Sequence, residues 1–198
     1  GGWKRSAVGP GAKAGGPHYV EHLTGWEDAG GEFPADPLAA FAPSDPSALT
    51  CERNVLRYVP ARAEIRVGAG AATPDVLRVA WAGATASPGS AVTFASPPDA
   101  ELATALTALG LAVVTEPDDE WASRVTSQHH ARIRAVGTVP DAARAAHVAI
   151  FDDPVTSSAR LELFPFLREQ AISMTAHRFG TQSELAHGVE IASERAPS

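Results

Sequence analysis

The sequence predicts an α/β fold: a Rossmann-like open, mostly parallel sheet with flanking helices. An extended Gly/Pro-rich loop and linker would precede this sheet, and a terminal strand would follow it. Two observations support the prediction. Between residues 63 and 151, five short apolar runs alternate with helix-like stretches, a pattern typical of βαβ units with right-handed crossovers. Four of the helix-like stretches also open with the same Pro-Asp pair.

The five predicted strands are short, rich in β-branched residues, and bounded by turns or helix starts. They span residues 64–67, 91–95, 111–115, 132–136 and 148–151. A further alternating run, 54–59, predicts a strand that ends at Pro60, because proline cannot donate a ladder hydrogen bond.

The predicted helices span residues 73–84, 96–109, 116–125 and 139–146. Proline suits the first turn of a helix because its missing N–H would be unpaired there, and aspartate complements the positive end of the helix dipole. Thr73 and Ser96 are the expected N-caps. Leu102, Leu106 and Leu109 share one face of the second helix, so that helix is expected to pack on an apolar surface.

The segments on either side of this pattern are less regular. A short helix is predicted over 18–26, and residues 27–50 have prolines too closely spaced for a regular element. After residue 154 the run 161–167 contains Pro165, and 171–179 alternates enough to predict a strand. We therefore divide the chain into the end of a preceding domain (1–26), a linker (27–59), a Rossmann-like domain (60–180) and a tail (181–198).

Composition excludes several classes of protein. The net charge of -7 argues against nucleic-acid binding, which selects for basic surfaces. No apolar run approaches the roughly 20 residues that span a bilayer, so no membrane span is expected. The single cysteine excludes an internal disulfide and fits a reducing compartment. We therefore expect a cytoplasmic protein.

The first nineteen residues contain six glycines and two prolines, so they form a loop rather than a helix or a central strand. Consecutive N–H groups in such a loop form a concavity that suits an anion. Lys4 and Lys13 could steer an anionic substrate toward it or could be ordinary surface charges. A flexible N-terminal tail is the alternative interpretation.

This loop carries a resemblance to a known family. The run GGWKRSAVG resembles the P-F-G-G-x-K-x-S-G loop of the aldehyde dehydrogenase fold, although Ala7-Val8 replaces the glycine that often follows the serine. The continuation PGAKAGGPHY resembles the glutamate-semialdehyde dehydrogenases, in particular the proline utilization A family. The resemblance implies that Gly15 and Gly16 bind the substrate carboxylate through their N–H groups. Residues 169–180 resemble the C-terminal end of the longer members, where a strand joins a flap that pairs subunits or covers the active site.

The resemblance also implies what this chain lacks. The family's catalytic cysteine, general-base glutamate and NAD site precede this loop, so we expect no catalytic residue here. NAD would bind the parent enzyme, FAD would bind it only if proline dehydrogenase is fused upstream, and neither would bind this fragment. The expected partners are the upstream catalytic domains, glutamate semialdehyde and further copies of the chain. The alternative is a stand-alone, non-catalytic α/β binding module.

Other candidate sites in the chain have simpler interpretations. The glycine-rich segment 68–72 stands where a phosphate loop belongs, but it lacks the third glycine and the later acidic residue, so a tight turn is expected. Cys51 does not match the family's nucleophile segment and is expected to be a spectator. His129 and His130 are adjacent and point in different directions, so no metal site is expected. Asp152 and Asp153 are interpreted as capping or solvated residues.

Overall fold

The structure is a computed structural model that describes residues 20, 24–31, 34–128, 131–145, 147–178, 181–182, 185 and 188–191. Its strands are, in chain order, β1 (Glu52–Pro60), β2 (Glu64–Val67), β3 (Ala91–Phe94), β4 (Ala112–Thr115), β5 (Arg132–Val136), β6 (Ala149–Phe151), β7 (Leu167–Thr175), β8 (His177–Arg178) and β9 (Thr181–Gln182). Its α-helices are α1 (Thr73–Ala86), α2 (Ala100–Ala108), α3 (Asp118–Ser127) and α4 (Ala159–Leu163).

The central sheet has five parallel strands in the order β4-β3-β2-β5-β6. All five predicted strands are present, and the runs 64–67 and 132–136 have the predicted bounds. The strand order reverses between β2 and β5, which makes the sheet doubly wound. The predicted fold class, a Rossmann-like α/β sheet with flanking helices, is confirmed.

Each face of the sheet has its own apolar core. Ile65, Val92 and Leu106 belong to the larger core, which α1, α2 and α4 cover. As predicted, Leu102 and Leu106 are buried on one face of α2, and Leu109 packs against the same core. On the opposite face a smaller core gathers around Trp121 of α3 and Ile133 of β5.

The helix starts differ in detail from the prediction. Thr73 is the first residue of α1 and its N-cap is Ala72, so the predicted Thr73 cap is wrong. In α2 the cap is Asp99 rather than Ser96, because the Asp99 carboxylate accepts the N–H of Leu102 at 2.7 Å.

The predicted helix 139–146 is also wrong: its described residues, 139–145, contain only one 3-10 turn, Asp141–Ala143. Of that turn only Ala143 is buried, against the α3 core. A segment with one apolar anchor has no helical face to bury, and short helices depend on such packing for their stability.

A two-stranded antiparallel ribbon stands beside the parallel sheet. β1 and β7 pair along nine residues, from Glu52↔Thr175 to Pro60↔Leu167. The predicted strand 54–59 lies within β1, and residues 171–175 of the predicted strand 171–179 lie within β7, which begins at Leu167 and ends at Thr175. The division of the chain into domains stays a prediction.

The segment 27–50 contains one more element than predicted, a 3-10 turn at Ala39–Phe41. Phe41 is buried, and its ring lies 4.9 Å from that of Tyr58 in an edge-to-face contact. Burial of this aromatic ring stabilises a turn that the closely spaced prolines by themselves do not favour. Among the described residues, no helix combines the length and apolarity that crossing a membrane requires.

Candidate functional site

The residues of the expected carboxylate-binding loop, Gly15 and Gly16, lie outside the described residues, as do Lys4, Lys13 and the histidine pair 129–130. Their expected roles stay predictions. The described part of the chain contains the crevice where Rossmann folds bind nucleotides, a polar cleft at the opposite end of the sheet, two networks of buried charge, and the ribbon.

The crevice lies at the carboxyl ends of β2 and β5, where the strand order reverses. Two loops meet there through backbone atoms. Gly68 donates its N–H to Val136 O at 2.9 Å, and Thr138 donates its N–H to Ala69 O at 2.9 Å. A Cβ atom at Gly68 would lie 1.9 Å from Thr138 O, and one at Gly137, whose φ is +83°, would lie 2.6 Å from Ala69 O.

Gly68 and Gly137 therefore allow the two loops to approach each other closely. A phosphate loop needs its N–H groups directed at the ligand, whereas the N–H groups of Gly68 and Thr138 are bonded to carbonyl oxygens across the crevice. This geometry supports the tight-turn interpretation of residues 68–72.

At the amino ends of β2, β3 and β5 the molecule has a cleft of about 500 Å³. Its polar lining comes from Arg62, Glu64, Ser87, Ser90, Gln128 and Arg132. Sequence reasoning missed this cleft because its walls come from three chain segments that only the sheet brings together. Its volume and polar groups suit a small polar molecule.

Arg132 belongs both to the cleft and to the protein interior. Its Nε donates to Pro165 O at 3.0 Å, and one terminal nitrogen donates to Leu167 O at 3.1 Å. Burial, with a smaller contribution from the nearby Arg168, lowers the pKa of Arg132 to about 10. The side chain thus ties β5 to the first residue of the ribbon strand β7.

A network of charges covers the β2 surface that faces α3. The Glu64 carboxylate accepts hydrogen bonds from Thr93 at 2.6 Å, from the Trp121 indole at 2.7 Å and from Arg124 at 2.9 Å. Arg124 also binds Glu116 at 2.7 Å, and this hydrogen bond is the main reason that the pKa of Glu116 is lowered. These side chains hydrogen-bond to one another, which indicates a structural role.

Arg66 extends the same network. It is fully buried, stacks over the Trp121 ring at 4.6 Å and pairs with Asp118 at 2.7 Å. It also donates to Glu116 O at 2.9 Å, while its Nε has no hydrogen-bond partner among the described residues.

On the opposite face Arg134 and Glu162 form a buried ion pair at 2.9 Å. The second carboxylate oxygen of Glu162 accepts the N–H of Thr156 at 2.8 Å. Arg134 also donates to Phe151 O and Asp153 O, at 3.1 and 2.9 Å. These contacts fix the connection between β6 and α4.

The remaining predicted candidates have ordinary surroundings. Cys51 is exposed at the start of the ribbon, and its carbonyl contacts the His177 ring at 3.1 Å. Asp152 pairs with Arg144 and raises the pKa of that arginine, and Asp153 contributes only its carbonyl to Arg134 among these contacts. The described ranges contain no group of three or more His, Cys, Asp or Glu residues that could hold a metal ion.

A comparison with solved structures now connects this geometry to a known protein. The chain matches proline utilization A from Corynebacterium freiburgense with a TM-score of 0.53 and 28% sequence identity. The match covers 90% of this chain and 19% of that one. The chain is similar to proline utilization A in fold and in sequence.

The chain thus spans about a fifth of the length of that protein. No protein-family model matches it, and no curated protein matches it.

Proposed function

We propose that the chain is the C-terminal part of an NAD-dependent L-glutamate γ-semialdehyde dehydrogenase of proline catabolism, related to proline utilization A. In this proposal residues 1–26 end the catalytic domain, and the parallel sheet with its ribbon forms a non-catalytic module that covers the active site or joins subunits. The observation that carries the proposal is the match to proline utilization A, which extends over 90% of the chain at 28% identity.

Two observations from the chain itself support the same conclusion. The loop GGWKRSAVGPGAKAGGPHY resembles the substrate loop of this dehydrogenase branch. In the sheet, backbone hydrogen bonds of Gly68 and Thr138 join the loops after β2 and β5 at the crevice where a dinucleotide would bind. A non-catalytic role for the sheet agrees with this contact between the two loops, and the NAD site is proposed to lie upstream of this chain.

The proposed reaction oxidises the aldehyde to a carboxylate. A water molecule supplies the second oxygen, and the hydride of the aldehyde carbon passes to NAD. The proposed contribution of this chain is the pair Gly15 and Gly16, whose N–H groups would bind the substrate's α-carboxylate. Such donors give specificity, because a substrate without the carboxylate leaves them unpaired. FAD enters only if the parent chain also carries proline dehydrogenase.

The first experiment is to measure the mass of the native protein that contains the peptide from residue 3 to residue 19. Because the matched protein is about five times longer than the matched region, we expect a polypeptide of roughly 1,000 residues or more. A native chain near 198 residues would contradict the proposal. It would favour a stand-alone binding module, for which the polar cleft of about 500 Å³ would be the candidate site.

The second experiment tests the substrate loop in the native protein. A Gly16→Pro variant removes one N–H donor, and we expect kcat/KM for glutamate semialdehyde to fall roughly 10- to 100-fold, the range for losing a hydrogen bond to a charged group. The control substrate is butanal, which lacks the α-carboxylate and should lose no more than about twofold. An equal loss with both aldehydes would show general damage to the active site instead of carboxylate binding.

A further inference from the structure

The segment that the sequence predicts as a linker is attached to the rest of the molecule at several points. We use the name strap for the described residues of the range 28–48. At its start, Asp28 Oδ1 accepts the backbone N–H of Ser157 at 2.8 Å and the hydroxyl of Ser157 at 2.5 Å. Asp28 Oδ2 lies 3.9 Å from the guanidinium of Arg78. Asp28 thus connects the strap to the residues just before α4 and to α1.

At its other end the strap is attached to the ribbon through Asp45. Asp45 Oδ2 accepts the N–H of Asn54 at 2.8 Å, and its Oδ1 accepts the N–H and hydroxyl of Ser47 at 3.0 and 2.6 Å. The neighbouring Ser44 exchanges two backbone hydrogen bonds with Leu56, at 2.9 and 2.8 Å. The strap therefore occupies the outer edge of β1, which would otherwise be open to other strands.

Both attachments are charge-assisted hydrogen bonds. The pKa of Asp28 is lowered mainly by the hydrogen bond from the Ser157 hydroxyl. The pKa of Asp45 is lowered mainly by the hydrogen bond from the Ser47 hydroxyl. The carboxylates are therefore ionised at neutral pH, which strengthens the bonds they accept. Between them, buried Phe41 supplies an apolar attachment against Tyr58.

We propose that Asp28 and Asp45 are positioning residues that hold the sheet and ribbon in one place relative to the catalytic segment before the strap. This proposal rests on the proposed function. A free coil of 21 residues has an end-to-end distance of roughly 25 Å, so an unattached module would sample many positions over the active site. Two carboxylate attachments and one buried ring remove that freedom, and a module that stays in place retains the substrate.

The test uses the full native protein with the variants Asp28→Ala, Asp45→Ala and the double variant. Hydrogen exchange measured by mass spectrometry on peptides containing Ser157 and Asn54 reports each attachment directly. We expect exchange at the detached site to become about tenfold faster, because the amide loses its acceptor. We expect KM for glutamate semialdehyde to rise about two- to fivefold in each single variant, with kcat unchanged.

The matched control is Asp36→Ala, which removes an exposed carboxylate from the same strap. It should change neither the hydrogen exchange at Ser157 and Asn54 nor the KM. Asp28→Asn keeps an acceptor oxygen, so its exchange rate and KM should lie between those of the wild type and Asp28→Ala. Peptides from β2 and β5 check that each variant is folded.

Unchanged exchange at Ser157 and Asn54, or faster exchange with an unchanged KM, would overturn the positioning role. If the wild-type protein does not reduce NAD with glutamate semialdehyde, the proposed function fails and the positioning role fails with it. The exchange data would still show whether the strap is attached.

Discussion

The two faces of the parallel sheet bury arginine side chains with different partners. On the face that α1, α2 and α4 cover, Arg134 pairs with Glu162, and only 4% and 2% of these side chains are exposed. On the α3 face, Arg66 is fully buried but its partner Asp118 is 47% exposed. Removing one partner of a buried pair leaves an uncompensated charge, whereas a half-exposed partner can be replaced by water. The same residue types should therefore contribute very different amounts to stability.

The largest expected effect is that of Glu162→Ala. This change leaves Arg134 as a buried, unpaired charge and removes the acceptor of the Thr156 N–H, so the free energy of unfolding should fall by about 3–5 kcal/mol. Urea denaturation of the native protein would measure the loss. As a control, the double variant Arg134→Met, Glu162→Leu should recover much of the stability, since apolar residues of similar volume replace such pairs well. If Glu162→Ala lowered the free energy of unfolding by less than about 1 kcal/mol, the expected difference between the two faces of the sheet would be contradicted.

A smaller effect is expected for Trp121→Phe on the α3 face. The variant removes the indole N–H that Glu64 accepts at 2.7 Å and leaves a small cavity at a fully buried position. We expect a loss of about 2 kcal/mol in the free energy of unfolding. Thermal unfolding would measure it, with Trp26→Phe, a half-exposed position outside the sheet, as the control. Equal losses at the two positions would show that the Glu64 network contributes nothing specific.

A still smaller effect is expected for Asp118→Ala, the direct counterpart of the Glu162 change. Arg66 would retain the Glu116 carbonyl and the Trp121 ring, so the loss should be about 1 kcal/mol. Urea denaturation under the same conditions gives the ratio of the two losses. If Asp118→Ala destabilised the protein as much as Glu162→Ala, the exposure of the acidic partner would not be what separates the two faces.

The smallest effect concerns pH. The hydrogen bond from Arg124 lowers the pKa of Glu116 below its ordinary value of 4.5. A carboxylate with a lowered folded-state pKa contributes stability that is fully present above pH 4.5 and is lost as the pH falls through the folded pKa. The stability difference between the wild type and Glu116→Gln should therefore shrink as the pH decreases below 4.5. Denaturant unfolding at a series of pH values would measure it, and a constant difference would exclude Glu116 as the titrating group.

Local patterns in the sequence predicted much of the fold. The alternation of short apolar runs with Pro-Asp helix starts predicted all five parallel strands and the three longer helices, because these signals act within a few residues. The predictions that failed concern details set by packing. Asp99 caps α2 where Ser96 was expected, and the segment after Pro140 forms a single turn because only Ala143 is buried.

Candidate sites were less predictable than the fold. The motif in residues 1–19 and its resemblance to the dehydrogenase loop were visible from the sequence, since a glycine-rich motif is a local pattern. The loop contact at the crevice, the polar cleft and the attachments of the strap were not visible, because each joins segments that are distant in the chain. Ser157 lies 129 positions from Asp28, and no local pattern relates the two residues.

The sequence by itself determined the α/β class, the positions of the parallel strands and the tight turn at residues 68–72, because hydrophobic periodicity, proline and glycine act locally. Only the tertiary structure decided the strand order, the pairing of β1 with β7 and the partner of each buried arginine. Arg66 and Arg134 are alike in the sequence, each in the middle of a short strand. They differ because each face of the sheet presents its arginine to a different helix, and only that helix determines whether the neutralising carboxylate is buried or exposed to water.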